Sequence, residues 1–115
     1  MYSNKFLESS IDSRNEIRCE NNIYHMTNTC MYDDAFMLIK NGKKEYLLSK
    51  REDKFLNLLL KKRGIVTYCE MTQHLSTNYD VLTLNAIRLL VKDFRKKLPN
   101  NAIKNIQGVG YRLVL

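Results

Sequence analysis

The 115-residue chain has one proline, Pro99, and four glycines. That scarcity excludes collagen-like and Gly/Pro-rich low-complexity chains. No run approaches the roughly 18 apolar residues of a membrane span, so the chain reads as soluble, with no membrane segment of its own. The stretch Met1-Tyr2-Ser3-Asn4-Lys5-Phe6-Leu7 lacks an apolar core of signal-peptide length, which argues against secretion and for a cytoplasmic protein. Cys19, Cys30 and Cys69 are odd in number and widely spaced, with no CxxC or CxxH pair, as expected of reduced intracellular thiols. His74 follows Cys69 by five residues and His25 precedes Cys30 by five, but no second pair completes a zinc-ligand set. GxSxG, P-loop and HExxH motifs are missing too. The expectation is therefore no metal, no cofactor and no enzymatic chemistry.

What is present is ordinary globular material, 44% hydrophobic and 27% charged, of a length that suits one domain with one real core. The net charge is +7, and its distribution is uneven. Residues 1–49 hold six Lys/Arg against seven Asp/Glu, whereas residues 50–115 hold thirteen against five. Within 81–112 seven cations (Arg88, Lys92, Arg95, Lys96, Lys97, Lys104, Arg112) face one anion, Asp93. A one-sided basic field favours a polyanion, because each neutralised phosphate releases condensed counterions. A solvated helix face would account for the same charge.

Residues 1–21 are polar and mixed in charge, and read as a linker or flexible N-terminal arm. Residues 22–115 read as the domain. Short strand-like runs cover 23–26, 30–32, 35–40 and 43–48. Asn41-Gly42 between the last two is a strong hairpin signal, since a type I′ turn needs positive φ at both central residues. Ser49-Lys50-Arg51-Glu52 is a capping box opening a helix with Phe55, Leu56, Leu59 and Leu60 on one side. Lys61, Lys62 and Arg63 form its cationic end, and Gly64 is expected to take the left-handed stop. After Ile65-Val66, Thr67 and Glu70 make a second capping box, opening a short helix with Met71 and Leu75 inward. Residues 76–82 read as a polar loop around Tyr79.

Thr83 caps a third helix running to about Leu98. Leu84, Ile87, Val91, Phe94 and Leu98 recur at helical spacing as a buried stripe. The opposite side holds Asn85, Leu89, Lys92 and Lys96, flanked by Arg88, Asp93 and Arg95. Pro99 ends the helix. Two strands, 103–106 and 111–115, follow around Gln107-Gly108-Val109-Gly110. Two capped helices joined by a loop, the second one basic, make a helix-turn-helix variant, and the hairpin can lie beside it as a wing.

A helix about 10–12 Å across fits a major groove about 12 Å wide. Asn85 and Arg88 lie in its first turns, where Asn can bond adenine and Arg guanine, each discriminating by about 1–3 kcal/mol. Leu89 could touch a thymine methyl. Lys92, Arg95 and Lys96 suit phosphates. Other roles stand beside these. Arg88 could pair with Asp93 or Glu70, Leu89 could pack under Tyr79, and Asp93 could be a partner of Lys96 or Lys97. Tyr111 reads as a half-buried strand residue with its hydroxyl outward.

The ordered set Leu48-Ser49-Lys50-Arg51-Glu52, Phe55-Leu56, Gly64-Ile65-Val66-Thr67, Phe94-Arg95-Lys96-Lys97-Leu98 and Ile106-Gln107-Gly108-Val109-Gly110-Tyr111-Arg112-Leu113 resembles the OmpR/PhoB winged-helix effector domain over about residues 22–115. The resemblance implies an α+β winged helix-turn-helix: an N-terminal antiparallel four-stranded sheet, three helices and a C-terminal β-hairpin wing. It implies that Ala86, Arg88, Leu89 and Asp93 face bases and that Asn85, Lys92 and Arg95 face the backbone. The wing and second helix would contribute Tyr68, Lys104, Gln107, Gly108 and Tyr111. The loop with Thr77, Asn78, Tyr79 and Asp80 would touch RNA polymerase.

Four positions depart from the family pattern. Gln107 and Tyr68 stand where Arg is usual, Ser76 where Trp is usual, and Asp53 where an aromatic is usual. These imply altered phosphate anchoring, with Lys104 offsetting part of the loss. The expected function is sequence-specific binding of double-stranded DNA that controls transcription, as the effector domain of a two-component response regulator. A stand-alone or ToxR-like winged-helix regulator and a protein-binding winged helix are the alternatives. The domain is expected to be a monomer alone and a homodimer on direct-repeat sites.

Overall fold

A computed structural model describes residues 17–115. Five strands come first: β1 (Arg18–Glu20), β2 (Ile23–His25), β3 (Cys30–Asp33), β4 (Leu38–Asn41) and β5 (Lys44–Leu47). They form an antiparallel sheet in chain order. Three helices follow, α1 (Lys50–Lys62), α2 (Tyr68–Leu75) and α3 (Leu84–Arg95), with β6 (Ile65–Thr67) between the first two. The hairpin β7 (Ile103–Ile106) and β8 (Gly110–Leu113) closes the chain, and β6 pairs with β8 to make a second sheet of order β6-β8-β7.

The first sheet has five strands, not four. Residues 1–16 of the expected arm lie outside the described residues, but residues 18–20 of it form β1, paired with β2. Asn21 and Asn22 link the two strands with φ of 52° and 69°. Asparagine tolerates the left-handed region, and positive φ at both loop residues matches a type I′ hairpin. The exposed, polar Arg18-Cys19-Glu20 carries no alternation that would mark it as a strand.

The hairpin expected at Asn41-Gly42 exists, but its turn lies one residue further on. Asn41 pairs with Lys44, so the loop is Gly42-Lys43. Only Gly42 of the two has positive φ, as at the first central position of a type II′ turn.

Both capping boxes form. The Glu52 amide donates to Ser49 Oγ at 3.2 Å and the Ser49 amide to Glu52 Oε1 at 2.9 Å. The Glu70 amide donates to Thr67 Oγ1 at 3.1 Å and the Thr67 amide to Glu70 Oε1 at 2.9 Å. Arg63, with φ 55°, makes the left-handed turn expected of Gly64; its amide closes the helix on the Leu59 carbonyl before the glycine is reached.

α3 stops at Arg95, short of Leu98. Beyond it the chain tightens into i→i+3 bonds, Lys97 to Phe94 and Leu98 to Arg95, ahead of Pro99.

Helix and sheet side chains share one core. Phe55 of α1 sits at its middle, with the Phe94 ring 5.8 Å away and the Tyr111 ring 6.2 Å away, edge-on. Tyr32 and Ile39 cover it from the first sheet, and Val66 and Ile103 from the second.

Two charged contacts anchor the helices. Glu52, only 4% exposed, meets Lys97 Nζ at 2.7 Å. Lys62 of α1 bonds Glu70 at the head of α2.

Gly110 is required by space. A Cβ there would lie 2.0 Å from the Val66 carbonyl oxygen, inside the β6 backbone. Gly110→Ala should therefore cost about 2 kcal/mol, read as a lowered urea midpoint.

The Lys62 hydrogen bond, together with the Thr67 amide, lowers the Glu70 carboxyl to about 2. A carboxyl depressed by folding stabilises the fold above its unfolded pKa, and that support fades as pH falls from its ordinary 4.5 toward about 2. Thermal melts across that window should show the loss, and Glu70→Gln should remove this share of it.

Candidate nucleic-acid interface

α3 is two-sided. Thr83 caps it, its hydroxyl accepting from the Ala86 amide at 3.1 Å. Ile87, Val91 and Phe94 are buried, as is Leu98 just past the helix. Leu84 does not belong to that stripe. It is 43% exposed, whereas Leu82, just before the helix, is buried. The Leu82 amide donates to Ser76 Oγ at 2.7 Å, drawing this loop residue inward.

Asn85, Arg88, Leu89, Lys92, Arg95 and Lys96 lie on the exposed side. Leu89 is 55% exposed, so it does not pack under Tyr79, which is itself wholly exposed. Ala86 is half-buried against the core. Neither suggested partner occupies Arg88: Glu70 pairs with Lys62, and Asp93 lies 3.9 Å from Lys96. Lys97 turns away to Glu52.

The wing meets α3 along a cleft of about 580 Å³. Arg88, Lys92 and Arg95 line one wall, and Tyr68, Asn105, Gln107, Gly108 and Tyr111 the other. Three cations and no carboxylate face into it. The wing is held there by backbone and ring contacts. The Tyr68 amide donates to the Val109 carbonyl at 3.0 Å, and the Tyr68 hydroxyl to Asn105 Oδ1 at 3.3 Å. Tyr68 and Tyr111 meet edge to face at 5.8 Å. Gly108, with φ 75°, makes the tip.

Tyr111 is 5% exposed, so its ring belongs to the core rather than being half-buried as the sequence suggested. Burial and the neighbouring Tyr68 raise its pKa, while Arg95 and Arg88 pull it down. Arg95 also donates to the Ile103 carbonyl at 3.0 Å, tying α3 to β7.

Not every expected residue joins this cleft. Asp93 and Lys96 line a separate shallow hollow with Tyr46, Ser49, Glu52, Leu90 and Lys97, toward the first sheet. Lys104 lies in a third, with Arg95 and residues 98–103.

Thr77, Asn78, Tyr79 and Asp80 form a compact turn, with the Thr77 amide 3.0 Å from the Asp80 carbonyl and the Asp80 amide 3.3 Å from that of Thr77. Sequence reasoning missed the residue that seats it. Arg51 of α1 donates to the Leu75 carbonyl at 3.1 Å, the Asp80 carbonyl at 3.0 Å and the Asp80 carboxylate at 2.8 Å. Its place as the third residue of a capping box gave no hint of a contact 29 residues on. Asn105 was also missed, because a lone polar residue in a strand has no visible partner in sequence.

Among the described residues no group of three or more His, Cys, Asp or Glu is placed to hold a metal ion, and no helix is long and apolar enough to cross a membrane.

Helix-turn-helix, seated wing and basic exposed helix together define a winged-helix domain. The family model "Transcriptional regulatory protein, C terminal" matches residues 43–113, more than half of the chain. The chain belongs to this family of OmpR/PhoB-type effector domains, and DNA-binding transcription regulation is the function of that class. No curated protein matches.

Solved structures are similar in fold. The C-terminal domain of the nisin resistance regulator NsrR, a lantibiotic response regulator, has TM-score 0.60 and 25% identity, over 76% of this chain and 93% of that one. The DNA-binding domain of E. coli CadC has TM-score 0.65 and 16% identity, over 76% and 87%. The DNA-binding domain of the response regulator AdeR, in complex with an intercistronic region, has TM-score 0.62 and 22% identity, over 76% and 95%.

The two sides of α3 should separate on mutation. Ile87→Ala should cost about 2–5 kcal/mol in urea unfolding, whereas Leu89→Ser should change stability by less than about 0.5 kcal/mol.

Proposed function

We propose that the domain binds double-stranded DNA sequence-specifically, with α3 in the major groove and the wing beside it, as the cytoplasmic effector of a two-component response regulator. It performs no chemistry of its own. The cleft between α3 and the wing, walled by Arg88, Lys92 and Arg95 and lacking any carboxylate, is the observation that carries this reading. A cleft lined by three cationic residues and no carboxylate favours an anion, and the DNA backbone is a repeating anion. The AdeR domain, crystallised with an intercistronic region, and the K. pneumoniae RstA domain, crystallised with an RstA box, support duplex DNA as the ligand.

Asn85, Ala86, Arg88 and Leu89 meet base edges from the first turns. Lys92, Arg95 and Lys96 meet phosphates, and Asp93 steadies Lys96 rather than reading a base. Tyr68, Gln107, Gly108 and Tyr111 shape the wing side, with Lys104 behind them. Gln107 offers an amide where a guanidinium is usual, so the tip contributes hydrogen bonds without charge. The turn at 77–80, with Tyr79 exposed in it and Val81 exposed beside it, presents a surface for RNA polymerase. The domain is a monomer alone and pairs with a second copy on direct repeats about one helical turn apart.

Selection from random duplexes should enrich one motif, and the absence of enrichment would refute the reading. On that motif Arg88→Ala should weaken some base positions more than others. Lys92→Ala should weaken all sequences about equally and flatten the dependence of log K on log salt by about one unit. Identical behaviour of the two variants would overturn the division of roles.

A further inference from the structure

Among the described residues the two sheets present four edges, β1, β5, β6 and β7. An edge strand carries backbone groups with no partner strand. On three of these edges a side chain meets them. Lys97 donates to the Leu47 carbonyl of β5 at 3.2 Å, and Arg95 to the Ile103 carbonyl of β7 at 3.0 Å. The Thr67 amide of β6 donates to Glu70 Oε1 at 2.9 Å. The fourth edge is β1, and among the described residues no side chain caps it.

The ladder fixes where its open groups point. The Asp34 amide donates to the Asn22 carbonyl at 2.9 Å, so Asn22 faces β3. Backbone groups alternate along a strand, so Tyr24 faces β3 as well, while Ile23 and His25 face β1. These two hold Glu20 and Arg18, and the Cys19 amide and carbonyl are left pointing outward. All three residues of β1 are exposed.

The charges of β1 complement those of the same strand read backwards. A second β1 laid antiparallel and centred on Cys19 sets each Arg18 opposite a Glu20, and each Cys19 opposite its counterpart. Arg18 and Glu20 share one face, since side chains alternate. Opposed Cβ atoms in such a pair lie roughly 4.5–5.5 Å apart, within reach of an ion pair. β1 also precedes residues 43–113, which match the family model, and none of its residues lines the cleft between α3 and the wing.

We propose that β1 is a self-association strand. Two copies join edge to edge about Cys19 into one continuous antiparallel sheet. Each Cys19 amide donates to the other Cys19 carbonyl, and an Arg18–Glu20 ion pair closes each end. The contact is two-fold, and so distinct from a head-to-tail arrangement on direct repeats. A strand of 3 residues buries far less than the roughly 1,200 Å² of a stable interface. The free domain therefore stays a monomer in dilute solution and pairs when copies are concentrated or tethered.

The test uses the 115-residue chain carrying Cys69→Ser, which leaves Cys19 as the exposed thiol beside buried Cys30. A short bis-maleimide is added across a protein concentration series, without DNA, and the cross-linked dimer is read on a denaturing gel. The yield should rise with protein concentration and fall with salt. Arg18→Glu and Glu20→Arg each turn attraction into repulsion at both ends, and each should lower the yield about tenfold. An equimolar mixture of these two variants sets opposite charges face to face again. It should recover about half the wild-type yield, because half of all encounters are mixed. The double variant Arg18→Glu/Glu20→Arg exchanges the charges within one chain and should recover all of it. Unchanged melting temperatures should accompany every variant, as expected of exposed positions.

Equal yields from wild type and both single variants would overturn the proposal, since thiols linked by random collision ignore charge. So would a mixture that yields no more dimer than its components, or no dimer at any concentration. DNA is absent throughout, so these results leave the DNA-binding reading standing.

Discussion

Everything at the interface depends on how α3 is seated. Ile87, Val91 and Phe94 fill one side of the helix, and Phe94 lies against Phe55, which in turn holds the Tyr111 ring of the wing. One aromatic group therefore sets the height of α3 and the position of the hairpin. Interiors packed to crystalline density transmit displacement rather than absorb it. A shift at Phe55 would move both α3 and the wing.

Two further constraints fix the wing. Gly110 lets β8 approach the β6 backbone more closely than any side chain allows, and the Tyr68 amide ties the wing loop to the head of α2. Together they aim the basic side of α3 and the tip at Gly108 into one cleft. Winged-helix recognition uses the elements as one rigid body, so that phosphate contacts hold the register in which base edges are read.

A polar cluster in the interior gives Asp53 its place, a position where the family resemblance implies an aromatic. Asp53 stands where an aromatic is usual, and it receives the hydroxyl of buried Tyr32. Asn57 donates to that hydroxyl at 2.9 Å and to the Asp53 carbonyl at 2.9 Å. A hydrogen-bonded cluster thus fills the seam between the first sheet and α1, without leaving a polar atom stranded. Glu52 and Lys97 make a comparable exchange between the head of α1 and the turn after α3. Lys97, one of seven cations in the basic stretch, thereby belongs to the scaffold rather than to the exposed basic side of α3.

The chain itself determined the three helices, their caps, the buried and exposed sides of α3 and the closing hairpin. Each is a local signal of spacing, capping chemistry or charge, legible within a dozen residues. Which cations share a cleft was decided only by the tertiary structure, as were the strand at 18–20, the exposure of Leu84, the burial of Tyr111 and the attachment of Arg51 to Asp80. These depend on contacts between residues far apart in sequence, or on turns whose backbone angles carry no periodicity. Charge can be counted along a chain, but its direction is set by the elements packed behind it.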